Sequence, residues 1–364
     1  MIRRKTTSAL LLIRIESMFK YFIDSTIVTV CGVTAAYFWG EHVKPGAGLI
    51  SVFIAGILAI LEISLSFDNA VVNAMKLEKM SKVWQKRFLT WGIAIAVFGM
   101  RFLFPILVVS IFAHLDMLTV TNIALTDSMK YAHYLELSHA PIVTFGGIFL
   151  IMLFLNYFFN HEKEVHWIAC IEHPLCYLDH IRGIEIVISL IVLIILNNFI
   201  PSEQKVSVLI AGITGIITYL AIDGLSHFLE KHEEQRLATC ATNAVACTGF
   251  VSFLYLELID ASFSLDGVLG AFALSNDVII IAIGLGIGAM FVRSLTLLIV
   301  ETKTLAKFRY LEHGAHWAIG ALAIIMLITT VKEVPEVVTG LIGLVFIVAA
   351  LISSIIYNNK HKEL

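Results

Sequence analysis

Charge is what this sequence has least of. Only 15% of its 364 residues are Asp, Glu, Lys or Arg, 59% are hydrophobic, and mean hydropathy is +0.89. That balance excludes an ordinary soluble domain, because apolar stretches of about 20 residues recur along the chain and each can cross a bilayer. There is no basic patch with interleaved aromatics, which argues against a nucleic-acid partner. There is no GxxxxGK(S/T) run either, which argues against ATP coupling within the chain. The five cysteines, Cys31, Cys170, Cys176, Cys240 and Cys247, form no disulfide framework; three of them fall in apolar segments as small core residues. The opening MIRRKTTSALLLIRIESMFK lacks a cleavage site, and Arg14 and Glu16 break its apolar run. Residues 1–18 therefore read as a basic interfacial segment, not a removable signal peptide.

What the chain has in abundance is apolar windows. Ten candidate spans cover roughly 19–39, 49–74, 91–111, 141–159, 184–199, 207–228, 239–266, 278–300, 316–331 and 337–357. With the N-terminus inside, nineteen of the 25 basic residues fall in cytoplasmic segments. Four (Lys44, Lys130, Lys205, Lys332) fall outside, and Arg101 and Arg293 lie within spans. This is the positive-inside bias, with both termini cytoplasmic.

The spans organise around one stretch written twice. LEISLSFDNAVVN (61–73) returns as ELIDASFSLDGVL (257–269), so that Glu62 matches Asp260, Ser66 matches Ser264 and Asp68 matches Asp266. Arg101 and Arg293 lie in the spans that follow each copy; His139 and His313 each precede a glycine by seven residues. The chain thus divides into two five-span repeats, 19–199 and 200–357, with a cytoplasmic His/Cys loop at 160–183 and a tail at 358–364. Five is odd, so the second repeat inserts upside down, as in transporters built from inverted repeats. The expected fold is an all-α polytopic transmembrane bundle with broken helices at the acidic motifs.

The break follows from geometry. Glu62 and Ser66 share a helix face, but Asp68 lies about 240° round an unbroken helix from Glu62. An ionised aspartate facing lipid is costly. A break near Ser66–Asn69, and another near Ser264–Gly267, turns each aspartate inward and frees backbone carbonyls. Glu62, Ser66, Asp68, Asn69, Glu257, Asp260, Ser264 and Asp266 then form an all-oxygen set, which suits Mg, Ca or Mn rather than Zn or Cu. Arg101 and Arg293 are charge partners or gates, or structural bridges to the acids. His139 and His313 are candidates for a proton relay or for helix-end hydrogen bonds. Asp24 and Asp223 either line a pathway or sit at the interface. His166, Cys170, His173, Cys176 and His180 make either an amphipathic interfacial helix or a soft-metal sensor.

LEISLSFDN (61–69), ELIDASFSLDG (257–267), the two arginines and the apolar framework from about 50 to 357 resemble the TerC (tellurium-resistance) family, in its branch with an extra histidine-rich central loop. The resemblance implies a bacterial inner-membrane protein, related to the lysine-exporter-like superfamily and associated with manganese export. It implies that residues 62, 68, 260 and 266 are ion ligands. The long 160–183 loop and Gly267 depart from the family's pattern.

The expected function is divalent-cation transport, Mn2+ efflux by resemblance. The chain is then no enzyme and holds no prosthetic group; its partners are the bilayer and the metal cation. Two other classes stand beside it. One is a membrane scaffold for stress-response partners or a homo-oligomer, docking through the 160–183 loop. The other is an intramembrane aspartyl hydrolase using Asp68 and Asp266, against which the absence of a GxGD run counts.

Overall fold

The computed structural model describes residues 20–95, 99, 103–112, 115–160, 163, 165–181, 183–237, 249–250, 252–260, 271, 274–275, 277–332 and 334–361. Among these residues the fold is all helix, with no strand. The principal helices are α1 (Ile23–Val43), α2 (Gly48–Leu65), α3 (Phe67–Lys79), α4 (Lys82–Ala94), α5 (Phe104–Phe112), α6 (Met117–Thr126) and α7 (Ser128–Phe159). They continue as α8 (Ala169–Cys176), α9 (Ile184–Phe199), α10 (Lys205–Leu237), α11 (residues 252–260), α12 (Val278–Glu301), α13 (Leu311–Thr329) and α14 (Glu336–Lys360).

Among the described residues six helices are long and apolar enough to cross a membrane, and there are seven if the bent pair α2 and α3 forms one broken span rather than a re-entrant loop. The chain is a multi-pass membrane protein. Ten spans were expected. The difference falls on 184–199, which is a 16-residue helix, and on 91–111 and 239–266, which run partly outside the described residues.

The fourth span also differs. Its apolar window covers 141–159, yet α7 runs 32 residues from Ser128 to Phe159 with Pro141 inside it. At 1.5 Å per residue that is about 48 Å, well beyond a hydrocarbon core of about 30 Å. Proline removes one ladder bond, and hydroxyls close by bond back to the helix: Ser138 donates to the Tyr134 carbonyl at 2.9 Å and Thr144 to that of Ala140 at 2.7 Å. Asp127 and Asp116 cap the starts of α7 and α6 by accepting the Lys130 and Thr119 amides.

The contacts fix the helix directions. Ser25, Gly32 and Trp39 of α1 meet Ser294, Ile287 and Asp277, so α1 is antiparallel to α12. Gly284 and Gly288 meet Leu58 and Glu62, so α12 is parallel to α2. A Cβ at Gly288 would lie 2.5 Å from Glu62 Cβ, so glycine permits this close approach of backbones. Phe145 and Phe149 of α7 meet Gly215 and Tyr219 of the parallel α10. Between α7 and α13, Tyr157 meets His313 and Gly147 meets Leu327, which makes that pair antiparallel. Gly314 against Ala350 and Trp317 against Phe346 set α13 antiparallel to α14. One end of the bundle therefore gathers the C-terminal ends of α3, α7, α10, α12 and α14.

Candidate functional site

The expected break at the first acidic motif is present. Helix α2 stops at Leu65, α3 starts at Phe67, and their axes differ by 56°. Ser66 sits between them at φ −103° and ψ 18°, its amide still bonded to the Glu62 carbonyl. The Ser66 hydroxyl donates to Glu62 Oε1 at 2.8 Å, and Glu62 is only 1% exposed. The two are four residues apart on one face, as the sequence spacing requires.

The bend carries α3 across to the second copy of the motif. Asn69 Nδ2 donates to Asp260 Oδ1 at 2.6 Å, joining the two copies 191 residues apart in sequence. Glu257, one helical turn before Asp260, is buried, and its Oε1 has no hydrogen-bond partner. Glu257, Asp260, Arg293, Asn73 and Thr296 wall one cavity of about 430 Å³ of empty space, closed on the apolar side by Phe88, Gly92, Ala289 and Val292. Asn73 Oδ1 and Arg293 Nε also lack partners in this buried setting. Orphaned polar atoms of both signs around a cavity inside an apolar bundle mark a place built to receive a polar guest.

Asn73 and Thr296 were not among the expected site residues. The signal for Asn73 was its four-residue spacing from Asn69, which puts both amides on one face of α3. For Thr296 the signal was its three-residue spacing from Arg293. Asp68 lies on α3 with its side chain outside the described residues, and Arg101, Ser264 and Asp266 are themselves outside them. The expected second break, at 264–267, is also outside them. Among the described residues no three His, Cys, Asp or Glu side chains gather closely enough to hold a metal ion. Glu62, Glu257 and Asp260 therefore do not make a metal site by themselves.

A second cavity, of about 660 Å³ of empty space, opens toward the end of the bundle that gathers these helix termini. Asp223, Glu312, Lys76, His316, Tyr157, Tyr219 and Tyr255 line it, so Asp223 faces a cavity. Its wall also includes Val72 and Ile259, each the chain neighbour of a residue in the first cavity, Asn73 and Asp260. Both apolar side chains are buried. The two cavities thus adjoin the same two helix segments, at neighbouring positions along each.

His139 and His313 are not brought together. His313 packs on Tyr157 with ring centres 5.6 Å apart, and His139 is eighteen residues back along α7, about 27 Å at 1.5 Å per residue. His313 instead makes a helix-end hydrogen bond, its Nε2–H donating to the Val165 carbonyl at 2.7 Å.

That bond belongs to the anchoring of the histidine-rich loop. Glu172, 1% exposed, accepts the Trp167 amide at 2.9 Å, the Ile168 amide at 3.1 Å and the Trp317 indole N–H at 3.0 Å. Lys163 places its ammonium 3.1 Å from the Tyr157 ring centre. Burial pushes that amine down to about 8, against the upward pull of Glu172, Cys176 and Glu312. The His166 and His173 rings lie 4.3 Å apart, without the third ligand a metal sensor needs among the described residues. The loop is packed against α13 through a carboxylate.

Glu172→Ala strands three donors at once, and losing hydrogen bonds to a buried charge costs about 2–4 kcal/mol locally. Limited trypsin digestion is expected to cut at Lys163 in that variant and to spare it in the wild type. Equal protection in both would show that Glu172 does not hold the loop.

Comparison with curated proteins and with solved structures gives no match. One family pattern covers residues 67–361, which include the acidic segment from Phe67 onward, Glu257, Asp260, Arg293 and the anchored loop. By that match the chain belongs to the family described as "Protein of unknown function (DUF475)".

Proposed function

We propose that the protein is a secondary transporter of a divalent metal cation, a relative of the TerC proteins that moves Mn2+ out of the cytoplasm of a bacterial cell. The observation that carries this reading is the hydrogen bond between the two copies of the acidic motif, Asn69 to Asp260, beside a cavity walled by Glu257, Asp260, Arg293 and Asn73. Oxygen donors in that number suit a hard divalent ion. The choice of Mn2+, and of outward movement, rests on the TerC resemblance. Asp68, together with Ser264 and Asp266, which the repeat matches to Ser66 and Asp68, completes the ligand set.

Helix parity supports ten spans. Helices α3 and α7 both end at the same end of the bundle, so the chain between them must return across the membrane once, which assigns a span to 82–112. By the same argument α10 and α12 require a crossing in the segment that contains α11. The packing also carries traces of inverted exchange. Span two lies on span eight through Glu62 and Gly288, while span three lies on span seven through Phe88 and Phe253. The 660 Å³ cavity, at the end the positive-inside rule assigns to the cytoplasm, is then the cytoplasmic vestibule, and Val72 with Ile259 forms the barrier to the acids.

The test is metal flux into proteoliposomes, paired with elemental analysis of cells under Mn, Zn, Ca and tellurite loads. Asp68→Asn and Asp266→Asn are expected to abolish Mn2+ flux while melting like the wild type. Full activity in both variants sinks the reading, and a shift in another metal with unchanged manganese redirects the substrate.

A further inference from the structure

Arg293 and Glu257 present a contradiction. A guanidinium and a buried carboxylate line one cavity, yet among the described residues no ion pair closes on either, and Arg293 Nε and Glu257 Oε1 are both without hydrogen-bond partners. A structural bridge would have paired them, because an unpaired charge in an apolar interior is costly. Helix α1 grips the turn of α12 that carries Arg293. Ser25 of α1 hydrogen-bonds to the Met290 carbonyl at 2.9 Å and to the Ser294 hydroxyl at 2.5 Å. That contact packs the start of α1, with Asp24 one residue before Ser25, against the turn of α12 that carries Arg293.

We propose that Arg293 is a tethered counter-cation: its guanidinium occupies the Glu257–Asp260 carboxylates when the transported ion has left, and withdraws toward Asp24 when the ion binds. The proposal rests on the cation-transport reading and adds the identity of what competes with the ion. The physical need is plain. A transporter that releases a divalent cation must bring its emptied acids back through the low-dielectric barrier, and bare carboxylates there are costly. A cation carried on the protein's own side chain neutralises them for that step and gives way on the next cycle. Arginine suits the role, since it stays charged and its fork fits a carboxylate. Both groups line the same cavity, and Arg293 Nε and Glu257 Oε1 each have a free hydrogen-bonding position there.

Because the guanidinium and the ion exclude each other from the same acids, removing one must strengthen the other. Full-length protein in nanodiscs, titrated calorimetrically with MnCl2 and with CaCl2, reads this directly. Arg293→Gln is expected to bind at least tenfold more tightly than wild type. Asp24→Asn, which releases the guanidinium onto the acids, is expected to bind about tenfold more weakly. In proteoliposomes Arg293→Gln is expected to retain metal-for-metal exchange but lose net efflux at least tenfold, since exchange never returns an empty site. If wild type binds and Arg293→Gln binds equally or more weakly while folded, the tethered-cation idea is overturned and the transport reading survives. Should Arg293→Gln not fold, Asp24→Asn decides alone, and unchanged or tighter binding there overturns the idea. No binding by wild type overturns the transport reading, and the tethered-cation idea with it.

Discussion

Glutamine at Glu257 is expected to reduce metal flux at least a hundredfold while the protein melts at or above the wild-type temperature. The two halves of that expectation have one cause. Glu257 is 6% exposed, one of its oxygens has no partner, and Asp260 lies one turn away on the same cavity. Its charge is therefore a stability cost in the absence of a cation, and the isosteric amide removes that cost. The same charge is what draws a divalent ion into the cavity, so removing it takes away a principal ligand. A merely structural glutamate behaves oppositely, because breaking a satisfied buried interaction destabilises by about 3–5 kcal/mol. Flux into proteoliposomes and a detergent melt, run on the same preparation, separate the cases. Wild-type flux in Glu257→Gln removes this cavity from the transport path.

Valine at Gly288 is expected to destabilise the bundle by about 3 kcal/mol, the upper end of what overpacking costs, and to abolish flux with it. A Cβ there meets Glu62 Cβ at 2.5 Å, Glu62 Cγ at 2.7 Å and the Ala59 carbonyl at 2.8 Å. One of those neighbours is backbone and another is the stem of a site carboxylate. The strain must be relieved by moving α2 away from α12, which displaces Glu62 and Ser66 together. Gly56, on the same helix α2, is the matching control, since a Cβ there meets nothing within 4 Å. Gly56→Ala is expected to leave flux unchanged and to stabilise by about 0.5–1 kcal/mol through helix propensity alone. Equal effects of the two substitutions would show that the α2–α12 contact is not tight.

The repeat is where the sequence was most informative. Glu62, Ser66 and Asp68 cannot share one face of an unbroken helix, and the 56° bend between α2 and α3 falls at the serine that this conflict marks. The fourth span, placed at 141–159 from its apolar window, begins thirteen residues earlier as a helix, with Pro141 inside it and hydroxyls at Ser138 and Thr144 bonding back to the helix on either side. His139 and His313 matched in spacing to the following glycine, yet sequence offset carries no information about depth along antiparallel helices. One lies well inside α7, and the other at the start of α13 beside Val165. The loop's histidines and cysteines drew attention by type, while the residue that organises it is Glu172, whose role depends on Trp317, 145 residues away.

The sequence by itself determined that this is a helical membrane protein, that its acids come in two related sets, and that one helix must bend, because hydropathy and helical period are properties of neighbours along the chain. Only the tertiary structure decided that Asn69 reaches Asp260, that Asn73, Thr296 and Arg293 share a cavity with Glu257, and that Asp223 faces a second one. Those pairings depend on how closely helices approach and at what angle. Small residues such as Gly284 and Gly288 set that approach, and their effect is felt on a helix more than two hundred residues away.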